Sequence, residues 1–237
     1  DNPDLAYEVN VHGTENVAYF CRQHGAALVF PFSMAVLGDP ARFPVTVDLP
    51  RDPMNWYGRT KYISERALEA FADGAVPAYC LMKSNVYGDH VVDGQRVTKN
   101  TVVNFFVGRA TAGEPLTVYA PGTQARNYLH VKDAALAYVR SAERLLELKE
   151  AGETGTWKYE IASDEDPSVM TVAERVQAIT AELTGEEPPV ELVDNPRGNE
   201  TLVDTFEIDT SRARNELGWE ATHTVDESIR ELVRTRR

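Results

Sequence analysis

Only two cysteines occur in the 237 residues, Cys21 and Cys80. They form no CxxC pair and no disulfide framework. Two small buried thiols in a reducing cytoplasm are the expectation. The five histidines are scattered, with no HExxH and no Cys/His cluster, so no metal site is expected. No apolar run approaches the ~20 residues of a membrane-spanning helix. The opening stretch Asp1 to Glu8 is acidic and polar, unlike a signal peptide, so no membrane partner is expected. Bases are scarce: 24 Lys and Arg face 37 Asp and Glu, a net charge of -13, which argues against nucleic acid as a partner. An anionic substrate on so acidic a chain requires local bases, and Arg126 and Arg197 are the candidates. The first residue is not Met, so a start upstream of Asp1 is expected.

What is present is the pattern of an α/β protein. Glu8 to His24 reads as a helix with Val9, Val17, Phe20 and Cys21 on a rough 3.6 period, stopped by Gly25. Ala26 to Phe32 is a short apolar run of the buried parallel-strand type. After a Pro- and Asp-rich loop over Pro40 to Met54, Tyr57 to Ala72 is an amphipathic helix and Val76 to Met82 a second buried strand. Helix, strand, helix, strand implies βαβ units on a parallel sheet. Val86 to Val97 reads as loop. Thr101 to Ala112 reads as helix, Leu116 to Tyr119 as strand, Val131 to Lys149 as helix and Trp157 to Ala162 as strand. A helix over Thr171 to Thr184 is expected to be capped by Thr171 with Glu174 as its capping box. Thr210 to Leu217 and Val225 to Arg234 read as the last helices.

Tyr57 and Lys61 stand four apart at the start of a helix and share a face. An ammonium beside a phenol favours the phenolate, which makes a general base of an ordinarily weak acid. YxxxK alone is a weak signal, since two helix-surface residues give it as readily. Ser33 adds to it. It follows the apolar run Ala26 to Phe32, at the carboxyl end of a parallel strand, where open α/β sheets place ligands.

These residues sit in six motifs that together resemble one family. VFPFSMAVLGDP (Val29 to Pro40), WYGRTK (Trp56 to Lys61), SNVYG (Ser84 to Gly88), ARNYLHVKDAALAY (Ala125 to Tyr138), DTSRARNELGW (Asp209 to Trp219) and NVHGTENV (Asn10 to Val17) are similar to segments of the extended short-chain dehydrogenase/reductases, in the NAD-dependent epimerase/dehydratase branch. The resemblance implies a Rossmann-like doubly wound parallel sheet with a smaller C-terminal α/β lobe. It implies a division into an NAD-binding part, 1–85 and 125–163, and a substrate-binding part, 86–124 and 164–237. It makes Ser33, Tyr57 and Lys61 the catalytic triad, with Asn10, Tyr57 and Lys61 on the cofactor side. Met82-Lys83-Ser84 stands where the family often has Arg-Tyr-Phe, and Lys83 and Ser84 are candidates for the cofactor there. Asn85, Asn100, Tyr119, Arg126 and Arg197 are the candidates for a nucleotide-diphosphate sugar, a UDP-sugar in the first instance. Asp209 and Trp219 are expected to cap and pack.

The implied activity is a C4 epimerase of the UDP-glucose 4-epimerase type, working as a cytoplasmic homodimer. A nucleotide-sugar reductase or dehydrogenase with the same triad and a non-catalytic nucleotide-binding regulatory relative are the alternatives. Family dehydratases and decarboxylases carry an acid directly after the catalytic hydroxyl, where this chain has Met34 and Ala35. The family's opening Gly-rich turn, which seats a pyrophosphate on a helix N-terminus, has no counterpart here. The resemblance implies that this segment precedes Asp1, that the chain by itself binds NAD poorly, and that the strand Ala26 to Phe32 is left as an unprotected sheet edge.

Overall fold

The computed structural model describes residues 2–196 and 202–236. Asn2 caps α1 (Pro3–Tyr7), accepting from the Leu5 amide at 3.1 Å, and Pro3 sits in the first turn, where its missing N–H costs nothing. The helix continues through a π turn at Glu8–His12 into α2 (Gly13–His24), which Gly25 ends at φ 58°. The helix expected from Glu8 thus starts at Pro3 and contains a wider turn that periodicity does not reveal. β1 (Leu28–Ser33) leads into a 3₁₀ turn (Met34–Val36), and Asn55 caps α3 (Trp56–Ala72).

β2 (Pro77–Lys83) follows. The stretch expected to be loop, Val86 to Val97, instead holds β3 (Asn85–Tyr87), β4 (Asp89–Val92) and β5 (Gln95–Thr98). β4 and β5 form a hairpin turned at Asp93 (φ 51°) and Gly94 (φ 76°), the dipeptide that two positive φ angles in a tight hairpin favour.

α4 (Val102–Thr111), β6 (Leu116–Tyr119), β7 (Tyr128–His130), α5 (Val131–Glu150) and β8 (Gly155–Ile161) come next. Then follow α6 (Val169–Thr184), β9 (Val190–Val193), α7 (Ser211–Leu217) and α8 (Val225–Thr235). β7 and β9 are short strands that no apolar alternation announces. The cap of α6 is Ser168, whose hydroxyl accepts from the Thr171 amide at 3.0 Å, so Thr171 lies in the first turn and the expected capping box at Thr171 and Glu174 is not formed. No helix among the described residues is long and apolar enough to cross a membrane.

The chain divides into two compact units. The first comprises Asp1–Ser84, Ala135–Ile161 and Asp209–Glu220. Its sheet has the order β1-β2-β8, all parallel, with Ser33 level with Lys83 and Lys83 level with Ile161. β2 is central and buried nearly throughout, as its unbroken apolar run requires. α3 lies on this sheet over a buried ionic cluster: the Glu65 carboxylate accepts from Arg51 at 2.7 and 3.0 Å and from Lys158 at 2.6 Å. The Pro-rich loop is tied down through buried Val45, Val47 and Leu49, with the Val47 amide on the Glu160 carboxylate and the Asp209 amide on the Val45 carbonyl.

The edge expectation needs correcting. β1 has no strand on its outer side among the described residues, but Pro31 has no N–H to offer and its carbonyl accepts from Lys61. A proline and a covering lysine are ordinary protections of a sheet edge.

The second unit comprises Asn85–Ala134, Ala162–Ile208 and Ala221–Arg237. It pairs β3 with β7 and β6 with β9, both parallel, around a core that includes Tyr87, Phe106, Val107, Tyr128, Val176 and Ile229. Apart from one or two residues at 85 and 162–163, the units differ in two places from the division the resemblance implies. Residues 125–134 fall in the second unit, because β7 pairs with β3. Residues 209–220 fall in the first, because α7 packs on β8, with the Tyr159 hydroxyl on the Glu216 carboxylate at 2.8 Å.

Candidate active site

β1 delivers Ser33 at its carboxyl end. The backbone there is extended (φ -146°, ψ 141°), and Ser33 Oγ accepts from the Ala35 amide at 3.2 Å, capping the 3₁₀ turn. With one lone pair used this way, the hydroxyl keeps its proton to donate outward.

α3 begins against that same turn. Asn55 Oδ1 accepts from the Gly58 amide at 2.9 Å and fixes the helix start. A Cβ on Gly58 would run into the Ala35 carbonyl oxygen and lie 2.9 Å from Pro53 Cβ. Only a glycine lets the first turn of α3 come this close to the Ser33 turn, and Tyr57 is its neighbour. The Tyr57 side of the helix is open, with the residue 45% exposed.

Lys61, one turn on, is buried. Its ammonium donates to the Pro31 carbonyl at 3.0 Å and lies 4.9 Å over the Phe30 ring. Burial holds its pKa below the usual lysine value. The expected ammonium–phenol face is therefore split in this arrangement. Both side chains come from one helix end, but the ammonium rests on the β1 backbone.

Asn10 belongs to the π turn. Its amide donates to Thr60 Oγ1 at 2.9 Å, and its carbonyl accepts from Ser64 Oγ at 2.6 Å. A π turn widens the backbone, and such turns recur at functional sites. Here it fastens α2 to α3 one residue away from Lys61. On the sheet, Lys83 is level with Ser33 and donates to the Tyr138 hydroxyl at 2.7 Å. The Ser84 hydroxyl is buried with no hydrogen-bond partner among the described residues. Asn10, Ser33, Tyr57, Lys61, Lys83 and Ser84 all lie in the first unit.

The remaining candidates lie in the second unit. Asn85 starts β3 opposite Tyr128, with its amide and its side chain both donating to the Asn127 carbonyl. Arg126 is on the approach to β7, its Nη1 on the Ala125 carbonyl at 2.7 Å. The β3–β7 pair thus sets Asn85 on the carbonyl of Asn127, the residue after Arg126. Tyr119 ends β6 in a different sheet, and Asn100 is exposed between β5 and α4. Arg197 lies outside the described residues. Just before α7, whose N-cap is Thr210, Asp209 Oδ1 accepts from the Ser211 amide at 2.9 Å, and Trp219 is buried.

Sequence reading missed Asn55, Gly58, Thr60 and Tyr138. An Asn directly before an amphipathic run is a capping signal that could have been read. The other three acquire their roles only from what the fold sets beside them.

Residues 1–156 match the epimerase family described as the NAD dependent epimerase/dehydratase family. The UDP-glucose 4-epimerase of Bacillus subtilis is 28% identical over 235 residues, 93% of this chain and 66% of its own length. The UDP-glucose 4-epimerase of Corynebacterium glutamicum is 30% identical over 234 residues, 94% of this chain and 67% of its own length. The crystal structure of UDP-glucose 4-epimerase from Brucella ovis in complex with NAD superposes with a TM-score of 0.77 at 26% identity, over 97% of this chain and 71% of that one. The chain thus spans about two thirds of the length of the curated relatives it matches. On the match that covers its first 156 residues, the chain belongs to the NAD dependent epimerase/dehydratase family.

Proposed function

We propose that the protein carrying this chain is an NAD-dependent nucleotide-sugar epimerase, inverting C4 of a UDP-sugar through a 4-keto sugar. The observation that carries this reading is the close approach of the α3 start to the Ser33 turn, which sets Ser33 and Tyr57 at the carboxyl end of a parallel sheet with Lys61 beneath. The residues fit the nicotinamide end of a dinucleotide. Ser84 holds a buried hydroxyl with no partner among the described residues, Lys83 lies level with Ser33, Lys61 rests on β1, and Asn10 is fastened to α3 beside Lys61. When bound, the cofactor supplies the two-electron oxidation of the C4 carbon and its reversal.

Within this reading Tyr57 takes the proton of the C4 hydroxyl and later returns it. Ser33, its oxygen held by the Ala35 amide, donates to the reacting oxygen and keeps it within reach of the phenol. Lys61 keeps a buried ammonium one helical turn from Tyr57, held on the Pro31 carbonyl, where it serves the cofactor side of the site. Asn85 and Arg126, with Tyr119, Asn100 and Arg197, hold the nucleotide and its diphosphate, where a guanidinium suits phosphate oxygens. Met34 is buried and neither it nor Ala35 can carry a proton, so dehydration and decarboxylation lack the acid they need. A second copy of the chain is the expected partner, since Val9, Val17 and Phe20 remain exposed on the first helices, and Ile63 on α3. Two buried free thiols suit a reducing cytoplasm.

The test is Tyr57→Phe in the intact protein with UDP-glucose or UDP-galactose. The expected result is a kcat lower by roughly 10²–10⁴-fold with cofactor still bound. Near-normal turnover would sink the assignment of Tyr57. For the unmodified enzyme the product should be the C4 epimer with no net NADH. Steady NADH accumulation would instead favour the dehydrogenase reading, and a deoxy-keto sugar in the mass spectrum would favour a dehydratase.

A further inference from the structure

Three consecutive residues, Arg51, Asp52 and Pro53, lie between the Ser33 turn and the start of α3. The Asp52 amide donates to the Val36 carbonyl at 3.0 Å, in the 3₁₀ turn that Ser33 caps. A Cβ on Gly38, which sits at φ 63°, would overlap the Asp52 carbonyl oxygen. Pro53 faces Gly58 in the first turn of α3. Arg51 fastens this segment. Its guanidinium forks onto the Glu65 carboxylate, with Nε 3.0 Å from Oε2 and Nη2 2.7 Å from Oε1. Nη1 donates to the Leu49 carbonyl at 2.7 Å, and Cζ lies 5.7 Å from the centre of the Phe32 ring. Phe32 directly precedes Ser33, and Glu65 lies on α3 one turn beyond Lys61. One side chain thus touches the strand that carries Ser33, the loop, and the helix that carries Tyr57. The Arg51 and Glu65 side chains are buried, at 8% and 1% exposure. A fork of two parallel bonds fixes angle as well as distance.

We propose that Arg51, through its fork on Glu65, is a positioning residue that holds α3 against the Ser33 turn and so sets the spacing of Ser33 and Tyr57. This rests on the assignment of Ser33 and Tyr57 to the reaction. Arg51 acts through Phe32, Glu65 and its own segment, not on the reacting atoms. The two halves of the device are complementary. Pro53 and the Ala35 carbonyl limit how near α3 can come, and the fork keeps it from drifting outward.

The test is a double-mutant cycle on kcat in the intact protein, with UDP-glucose as substrate. Arg51→Met removes the fork but keeps an apolar stem for Phe32. Lys158 still donates to Glu65 at 2.6 Å, so the buried carboxylate keeps a cation and the fold is expected to survive. kcat should fall roughly 10–100-fold at nearly unchanged KM, since a displacement near 1 Å can cost that much. Gly58→Ala disturbs the same approach from the other side. It should therefore cost clearly less in the Arg51→Met background than in the unmodified protein. A merely structural role would lower the melting temperature, leave kcat per folded molecule unchanged and let the two effects multiply. If Arg51→Met does not fold, Glu65→Gln takes its place in the cycle, keeping the side-chain shape while weakening the pair. An unchanged kcat in a folded variant, or two effects that simply multiply, overturns the proposal and leaves Tyr57 as base. Near-normal turnover in Tyr57→Phe overturns the assignment of the base instead, whatever the cycle gives.

Discussion

At the scale of single residues, small changes of volume and charge decide the site. Gly58 is the clearest case. Its φ is helical, so no backbone strain demands glycine, but the Ala35 carbonyl and Pro53 occupy the space a side chain would need. Gly58→Ala should push the first turn of α3 off the Ser33 turn. The expected cost is about 1–3 kcal/mol of stability and a larger loss in kcat, about 100-fold, since a displacement near 1 Å can cost that much. Equal activity at equal substrate saturation would show that the close approach is not needed.

His130 gives a pH prediction. It is buried, its ring stacks on His223 at 4.3 Å, and its Nδ1 accepts from the Lys132 amide at 3.3 Å. Burial first, and the neighbouring His223 next, lower its pKa to about 4, with Asp133 and Glu231 opposing the shift and Lys132 adding to it. The folded state therefore resists a proton that the unfolded chain accepts near the usual value of about 6.5. Stability contributed by neutral His130 is full above that value and is lost as pH falls toward 4, by up to about 3 kcal/mol. Thermal melts between pH 7.5 and pH 4.5 should show this loss, and His130→Gln should flatten the curve. An equally steep curve in His130→Gln would assign the acid sensitivity elsewhere.

At the scale of elements, caps and turns set where helices begin. α6 starts at Ser168, and both its oxygen contacts, to the Thr171 amide at 3.0 Å and to Thr171 Oγ1 at 2.9 Å, depend on the serine. Ser168→Ala should cost about 1 kcal/mol, while Glu174→Ala, which removes the acid of the expected capping box, should cost only a few tenths. Urea unfolding of the two variants separates them, and the reverse order would restore the capping box. The π turn at Glu8–His12 shows the opposite situation. Hydrophobic spacing continues smoothly through it, and the turn becomes visible only because Asn10 binds Thr60 and Ser64 on another helix.

At the scale of the whole molecule, the net charge of -13 is spread along the chain, so long-range repulsion opposes folding. Raising NaCl from about 20 mM to about 0.5 M shortens the screening length from roughly 20 Å to roughly 4 Å. The melting temperature should rise across that range. A fall would mean that paired charges such as Arg51–Glu65–Lys158 contribute more than the overall repulsion removes.

The sequence by itself determined the α/β class, the long helices and the central strands, because apolar periodicity and run length report burial that each segment carries locally. It also singled out Ser33, Tyr57 and Lys61 as the candidates, since a hydroxyl at a strand end and YxxxK at a helix start are local properties. The tertiary structure alone decided the rest. β7 and β9 are strands only because β3 and β6 offer them an edge, and a short segment cannot announce a partner far along the chain. Residues 209–220 join the first unit because α7 finds β8. Lys61 on Pro31, Asn10 on Thr60 and Lys83 on Tyr138 are contacts between residues 30 to 55 positions apart, made when packing excludes water and each buried polar group must find a partner in the protein.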